Sequence, residues 1–141
     1  MATRKRRVDM GGPVASGRIV LVGDARDWQP ELQALLGSEG YALERVAQLA
    51  GVLPMLSGRD VRALFLGADP LAASDLLLLR RIRELSPRTA IVAVSRTPTD
   101  PDLKRAFESG ATAFLSWPAS NDAVRRALGR GAPPGSERSR P

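Results

Sequence analysis

The chain alternates short, unbroken apolar runs with segments of helical spacing. Arg18–Val22 (RIVLV) is a continuous apolar run of strand length, the kind buried on both faces. Residues 28–36 predict a helix, with Asp27 near its start, Pro30 in its first turn and Gly37 ending it. Residues 41–46 alternate and predict a second strand. Leu49–Leu56 predicts a short helix made irregular by Pro54. Residues 61–66 (VRALFL) form a third strand pattern. Residues 74–85 predict a strong helix, with Ser74 as N-cap and Leu76, Leu79, Ile82 and Arg83 at helical spacing. Residues 90–94 (AIVAV) give a fourth strand, and residues 100–109 a helix closed by Gly110. Ala113–Ser116 is a short fifth strand, and residues 120–128 a last helix capped by Ser120 or Asn121.

Five strands alternating with five helices imply an α/β fold, a parallel sheet with helices on both faces. Such sheets gather functional groups at the carboxyl ends of their strands, near the topological switch point. The residues to inspect are therefore Gly23-Asp24, Gly67-Ala68-Asp69, Ser95-Arg96 and Trp117-Pro118. The chain has no internal repeat.

Composition narrows the chemistry. At 141 residues the chain has the length of one domain with one core. It has no cysteine and no histidine, which excludes disulfides, thiolate chemistry, serine–histidine catalysis and zinc–histidine sites. No GxGxxG or GxxxxGK[ST] follows the first strand, and no nucleophile–base pair can be assembled, so an enzyme is not expected. No apolar run approaches the roughly 18–20 residues of a membrane span. The basic start MATRKRR looks like the head of a signal peptide, but Gly11, Gly12 and Pro13 interrupt it, and a cytoplasmic location is expected. The net charge of +6 is uneven. Residues 1–17 carry Arg4, Lys5, Arg6 and Arg7 against Asp9, whereas residues 18–130 are close to neutral. Residues 1–17 and 131–141 are rich in Gly, Pro and charge and are expected to be disordered tails around a domain at 18–130. The basic run reads first as a solvated tail; without aromatic interleaving, nucleic-acid binding through it is the minor reading.

Two stretches carry a family resemblance. LLLLRRIRELSPRTAIVAVS (residues 76–95) resembles the third helix and fourth strand of a bacterial response-regulator receiver domain, and AFESGATAFLSWPAS (residues 106–120) resembles that family's Gly-Ala turn, fifth strand and Pro-containing loop. The resemblance covers about residues 18–130 and implies a (βα)5, CheY-like (flavodoxin-like) sheet of strand order 2-1-3-4-5. A receiver has two acids after strand one, a phosphoaccepting aspartate after strand three, Ser or Thr after strand four and Lys-Pro after strand five. Here those places hold Gly23-Asp24, Gly67, Ser95 and Trp117-Pro118. A register two residues later would put Asp69 in the acceptor place. Phosphoryl transfer to a carboxylate needs a nucleophilic aspartate, a magnesium ion and donors for the phosphoryl oxygens. With one carboxylate left, Asp24, magnesium binding is expected to be weak and no cofactor is expected.

Trp117 would then cover the emptied pocket with apolar area, worth about 2 kcal/mol if buried, and the Trp117–Pro118 bond is a candidate for the cis form. Arg96 is either a solvated residue or a built-in cation reaching Asp24. Phe114 takes the place of the family's switch aromatic ring. Receivers signal through their fourth helix, fifth strand and fifth helix, which here include Lys104, Arg105, Phe114, Arg125 and Arg126, a basic stretch suited to an acidic partner. The resemblance thus implies a degenerate pseudo-receiver that works by protein contact within a two-component pathway, with a homodimer left open. The alternatives are a working phosphorelay receiver using Asp69 or Asp24, and a sensor of nucleotides or other small ligands at the strand-end crevice.

Overall fold

The computed structural model describes residues 17–23, 28–57, 61–68, 72–97 and 99–129. Both expected tails lie outside the described residues apart from Gly17, as do Asp24, Asp27 and Asp69. Five strands form one all-parallel sheet: β1 (Arg18–Val22), β2 (Ala42–Val46), β3 (Val61–Gly67), β4 (Ala90–Ser95) and β5 (Ala113–Ser116). Their order is β2-β1-β3-β4-β5, the expected 2-1-3-4-5. Three of the connections are α-helices, α1 (Gln29–Ser38), α2 (Ala73–Leu85) and α3 (Asp100–Glu108), and a fourth helix, α4 (Asn121–Gly129), follows β5. The remaining connection, Leu49–Leu56, is a 3-10 helix, here η1. Its irregularity follows from Gly51 and Pro54 within eight residues, the two poorest helix formers.

Strand alternation sorts the apolar residues into two layers. Ile19, Leu21, Phe65, Val92, Val94 and Leu115 face α1 and α4. Val20, Val22, Leu64, Leu66, Ile91 and Ala93 face η1, α2 and α3. Every residue of β4 is buried, as are all but the two exposed positions of β3, Arg62 and Gly67. Arg62 escapes the core because the β1–β3 register shifts by one residue beside it.

The helix ends differ from expectation in two places. Ser74 is not the N-cap of α2; Ala72 is, with no side-chain cap, and Ser74 lies within the first turn. Gly37 does not end α1, which runs to Ser38 and closes when the N–H groups of Gly40 and Tyr41 donate to the carbonyls of Gly37 and Leu36. This is a Schellman closure, and its glycine stands one residue past the cap. Ser120 caps α4, its hydroxyl accepting from the Ala123 N–H, and Thr99 caps α3 in the same way through Asp102.

The turn after α3 is fixed most firmly. Gly110 has φ +122°, and its N–H and that of Ala111 close the helix onto Phe107 and Ala106. Arg83 of α2 donates two hydrogen bonds to the Gly110 carbonyl, 3.3 and 2.9 Å, and one to Pro87 at 2.6 Å. Burial pushes the pKa of that guanidinium down. A Cβ at Gly110 would lie 3.2 Å from Arg83 Cβ and 3.4 Å from the Leu79 carbonyl oxygen. Gly110→Ala is therefore expected to cost about 1–3 kcal/mol in urea denaturation, from left-handed strain and overpacking together. Unchanged stability would mean that this turn does not constrain the packing of α2 against α3.

Candidate functional site at the strand ends

The carboxyl ends of β1 and β3 lie side by side, with Val22 paired to Leu66 and Gly67 paired to Val94. Gly67 is the last residue of β3, and the Ala68 N–H just past it still donates to the Val94 carbonyl of β4. The residues at the four strand ends described here are Gly23, Gly67, Ser95 and Trp117. None carries a carboxylate.

Above β1 and β3 opens a crevice of about 600 Å³. Val22, Gly23, Leu66 and Gly67 make its floor, residues 47–50 one wall, and Ser74, Asp75 and Leu78 of α2 the other. The polar groups Gln48 and Asp75 did not stand out in the sequence, and Ser74 stood out only as a helix cap. They are isolated polar residues in a turn and a first helical turn, and only the topology brings them together. Gln29 was missed as well, although its spacing to Leu32 and Leu36 marks it as part of a buried face. It is buried, and its Nε2 donates to the carbonyls of Val22 and Gly23, 3.1 and 3.2 Å, tying α1 to the end of β1. Its Oε1 is buried without a hydrogen-bond partner.

Gly23 and Gly67 differ in kind. Gly23 has φ +92°, and its N–H donates to the Val46 carbonyl at 2.8 Å. An aspartate would be strained in that backbone whatever the space around it. Gly67 lies outside the left-handed region, and a Cβ there would meet nothing within 4 Å. The fold does not require glycine at 67.

Ser95 is buried at the end of β4. Its hydroxyl accepts from the Thr97 N–H at 3.1 Å, and its carbonyl accepts from the Trp117 N–H at 2.8 Å. Arg96 is exposed beside it. The Trp117–Pro118 bond is cis, as the sequence allowed, and Pro118 is exposed. Trp117 departs from expectation. It does not line the strand-end crevice. Continuing the alternation of Ala113 and Leu115, it enters the opposite layer, among Trp28, Val94, Val124 and Leu128, and is 9% exposed. Its place is core packing on the α1/α4 side. Trp28 is likewise a packing residue, at 3% exposure.

The described residues do not fit a magnesium ion. Among the described lining residues Asp75 is the one carboxylate, and no group of three or more potential metal ligands exists among the described residues.

The expected basic surface divides. Because η1 is a 3-10 helix, the family's fourth and fifth helices are α3 and α4 here. Leu103, Phe107, Phe114, Ala123 and Arg126 line a groove of about 370 Å³ between α3, β5 and α4, with Phe107 47% exposed. Arg105 pairs with Asp102 at 2.8 Å. The Thr99 and Arg105 hydrogen bonds hold that carboxyl below its ordinary pKa. Arg125 does not join the groove. It reaches Glu39 at the end of α1 with two hydrogen bonds, 2.9 and 2.6 Å, which raise its pKa, and Asp122 at 3.3 Å. Neighbours on a helix point about 100° apart, which separates Arg125 from Arg126. Lys104 is exposed on α3.

No family model matches the chain, and no curated protein matches it. Solved structures do. The signal receiver domain of an HD-domain-containing protein from Pseudomonas fluorescens is 26% identical, with a TM-score of 0.67 over 83% of this chain and 98% of its own. The fold is that of a CheY-like receiver domain. The receiver domain of a sensor histidine kinase from Pseudomonas aeruginosa, which has a magnesium ion coordinated in its active-site cleft, is 24% identical, with a TM-score of 0.66 over 82% of this chain and 97% of its own. A protein from Burkholderia pseudomallei described as pilus assembly-related is 23% identical, with a TM-score of 0.68 over 82% and 92%.

The two glycines give a direct test of the site's backbone. Gly23→Ala is expected to lower stability by about 1–2 kcal/mol, and Gly67→Ala to leave it unchanged or raise it by about 0.5 kcal/mol. Equal losses in thermal denaturation would contradict the difference in backbone conformation.

Proposed function

We propose that this chain is a receiver-fold signalling module that works by protein contact and is not phosphorylated at its strand ends. The observation that carries the reading is Gly67 as the final residue of β3, in register with Val94, at the place that the receiver likeness assigns to the phosphoaccepting aspartate. Two further features support it. The backbone at Gly23 disfavours the first acid of the receiver pair, and Trp117, in the place of the lysine, is spent on the core. In this reading the chain is not an enzyme, takes no magnesium at the site and acts in the cytoplasm. No helix among the described residues is long and apolar enough to cross a membrane.

The partner surface is the groove between α3, β5 and α4, where exposed Phe107 and half-buried Phe114 offer apolar area and Lys104 and Arg126 supply positive charge. An acidic protein surface complements it. Such a partner belongs to a two-component pathway or, given the Burkholderia neighbours described as pilus-assembly proteins, to assembly machinery. Without a phosphorylation switch, output follows from the partner's availability.

Incubation with acetyl phosphate and magnesium followed by intact-mass measurement tests the reading. An unchanged mass is expected. A single phosphoryl adduct would overturn it, and loss of that adduct in Asp69→Asn would establish a rearranged acceptor.

A further inference from the structure

The strand order 2-1-3-4-5 places the topological switch point between β1 and β3, because connections leave β1 in one direction and β3 in the other. Open parallel sheets bind ligands in the crevice outside that point. Here the crevice is present, with Val22 and Gly23 from β1 and Leu66 and Gly67 from β3 in its floor. Its volume of about 600 Å³ falls within the range of roughly 300–1,000 Å³ typical of small-molecule pockets.

The lining states what it would accept. Val22, Leu49, Leu66 and Leu78 give an apolar bed, and Ala47 and Ala50 keep one wall shallow. Gln48 and Ser74 offer neutral hydrogen-bonding groups. Among the described lining residues the only formal charge is the carboxylate of Asp75; no lysine or arginine is present. Asp75 stands at the third position of α2. The first turn of a helix carries a partial positive charge of about half an elementary charge, less than the full negative charge of Asp75 in the same turn. A phosphate or carboxylate would therefore meet net negative charge on the α2 side of the crevice. An ammonium group would meet a partner.

Gly67 adds an independent observation. Its backbone conformation accepts any L residue and a Cβ there would meet nothing within 4 Å, so packing does not explain the glycine. What its missing side chain does is keep the crevice open at the end of β3.

We infer that the crevice between β1, η1, β3 and α2 binds a small organic cation, an amine carried on an apolar body, with the ammonium group on Asp75 and the body on the leucine and valine bed. This inference stands apart from the partner groove, which lies across the sheet edge at β5, and either can fail without the other.

The test uses two probes that share a body and differ in charge. Phenethylamine and phenylacetate are titrated into the full-length protein while backbone amide shifts are followed by NMR. Phenethylamine is expected to move the amides of Gly23, Gly67, Gln48 and Asp75, and phenylacetate to leave them still. Asp75→Asn keeps the size of the side chain and removes its charge, and should weaken phenethylamine binding by about tenfold or more. Gly67→Leu fills the mouth of the crevice and should abolish binding, its folding checked by unchanged amide shifts in β4 and β5. The inference is overturned if phenethylamine leaves these amides unmoved at millimolar concentration, if phenylacetate or AMP binds as well, or if Asp75→Asn binds phenethylamine like the parent.

Discussion

The structure depends on one constraint: β3 and β4 run through the middle of a parallel sheet and need apolar cover on both faces. Phe65, Ile91, Val92 and their neighbours are fully buried, and parallel strands are joined only by long crossovers, which bring the covering helices with them. That requirement fixes the rest. It places α1 and α4 on one side and η1, α2 and α3 on the other, with a crevice at the carboxyl ends of β1 and β3. The crevice is therefore a consequence of the fold, and its character is set by whichever residues follow the strands.

Those residues decide what the strand ends can do. In a receiver-like frame, a chemically active strand end concentrates carboxylates around a cation. The described strand ends here hold two glycines, a buried serine and a tryptophan turned into the core. The changes belong together physically. A lysine at 117 would have no carboxylate from Gly67 to pair with, and an unpaired buried charge is costly. A tryptophan continuing the alternation of Ala113 and Leu115 fills the α1/α4 layer instead. The same site thus loses charge and gains packing.

Much of this was legible in the sequence. The apolar runs at 19–22, 63–66 and 90–94 read as strands covered on both faces, and the helical spacing between them implied crossovers. Pro54 foretold that η1 would not be a regular helix. What the sequence could not disclose was direction and company. The N-cap of α2 moved to Ala72 because backbone geometry, and not side-chain preference, set where the helix began. Arg125 and Arg126 read alike in a string, yet one closes onto Glu39 and the other faces the groove. Gln48 is far in sequence from Ser74 and Asp75, and only the switch point brings the three to one crevice. The side on which Trp117 would pack depended on the phase of a four-residue strand.

On the proposed reading the strand ends do not take a phosphoryl group. The most direct measurement is a backbone amide NMR titration with magnesium and beryllofluoride, a mimic of the phosphoryl group on aspartate. The amides of Gly23, Gly67, Ala68 and Ser95 are expected to stay in place, along with that of Phe114 in β5. Saturable shifts at the strand ends that spread to β5 would contradict it.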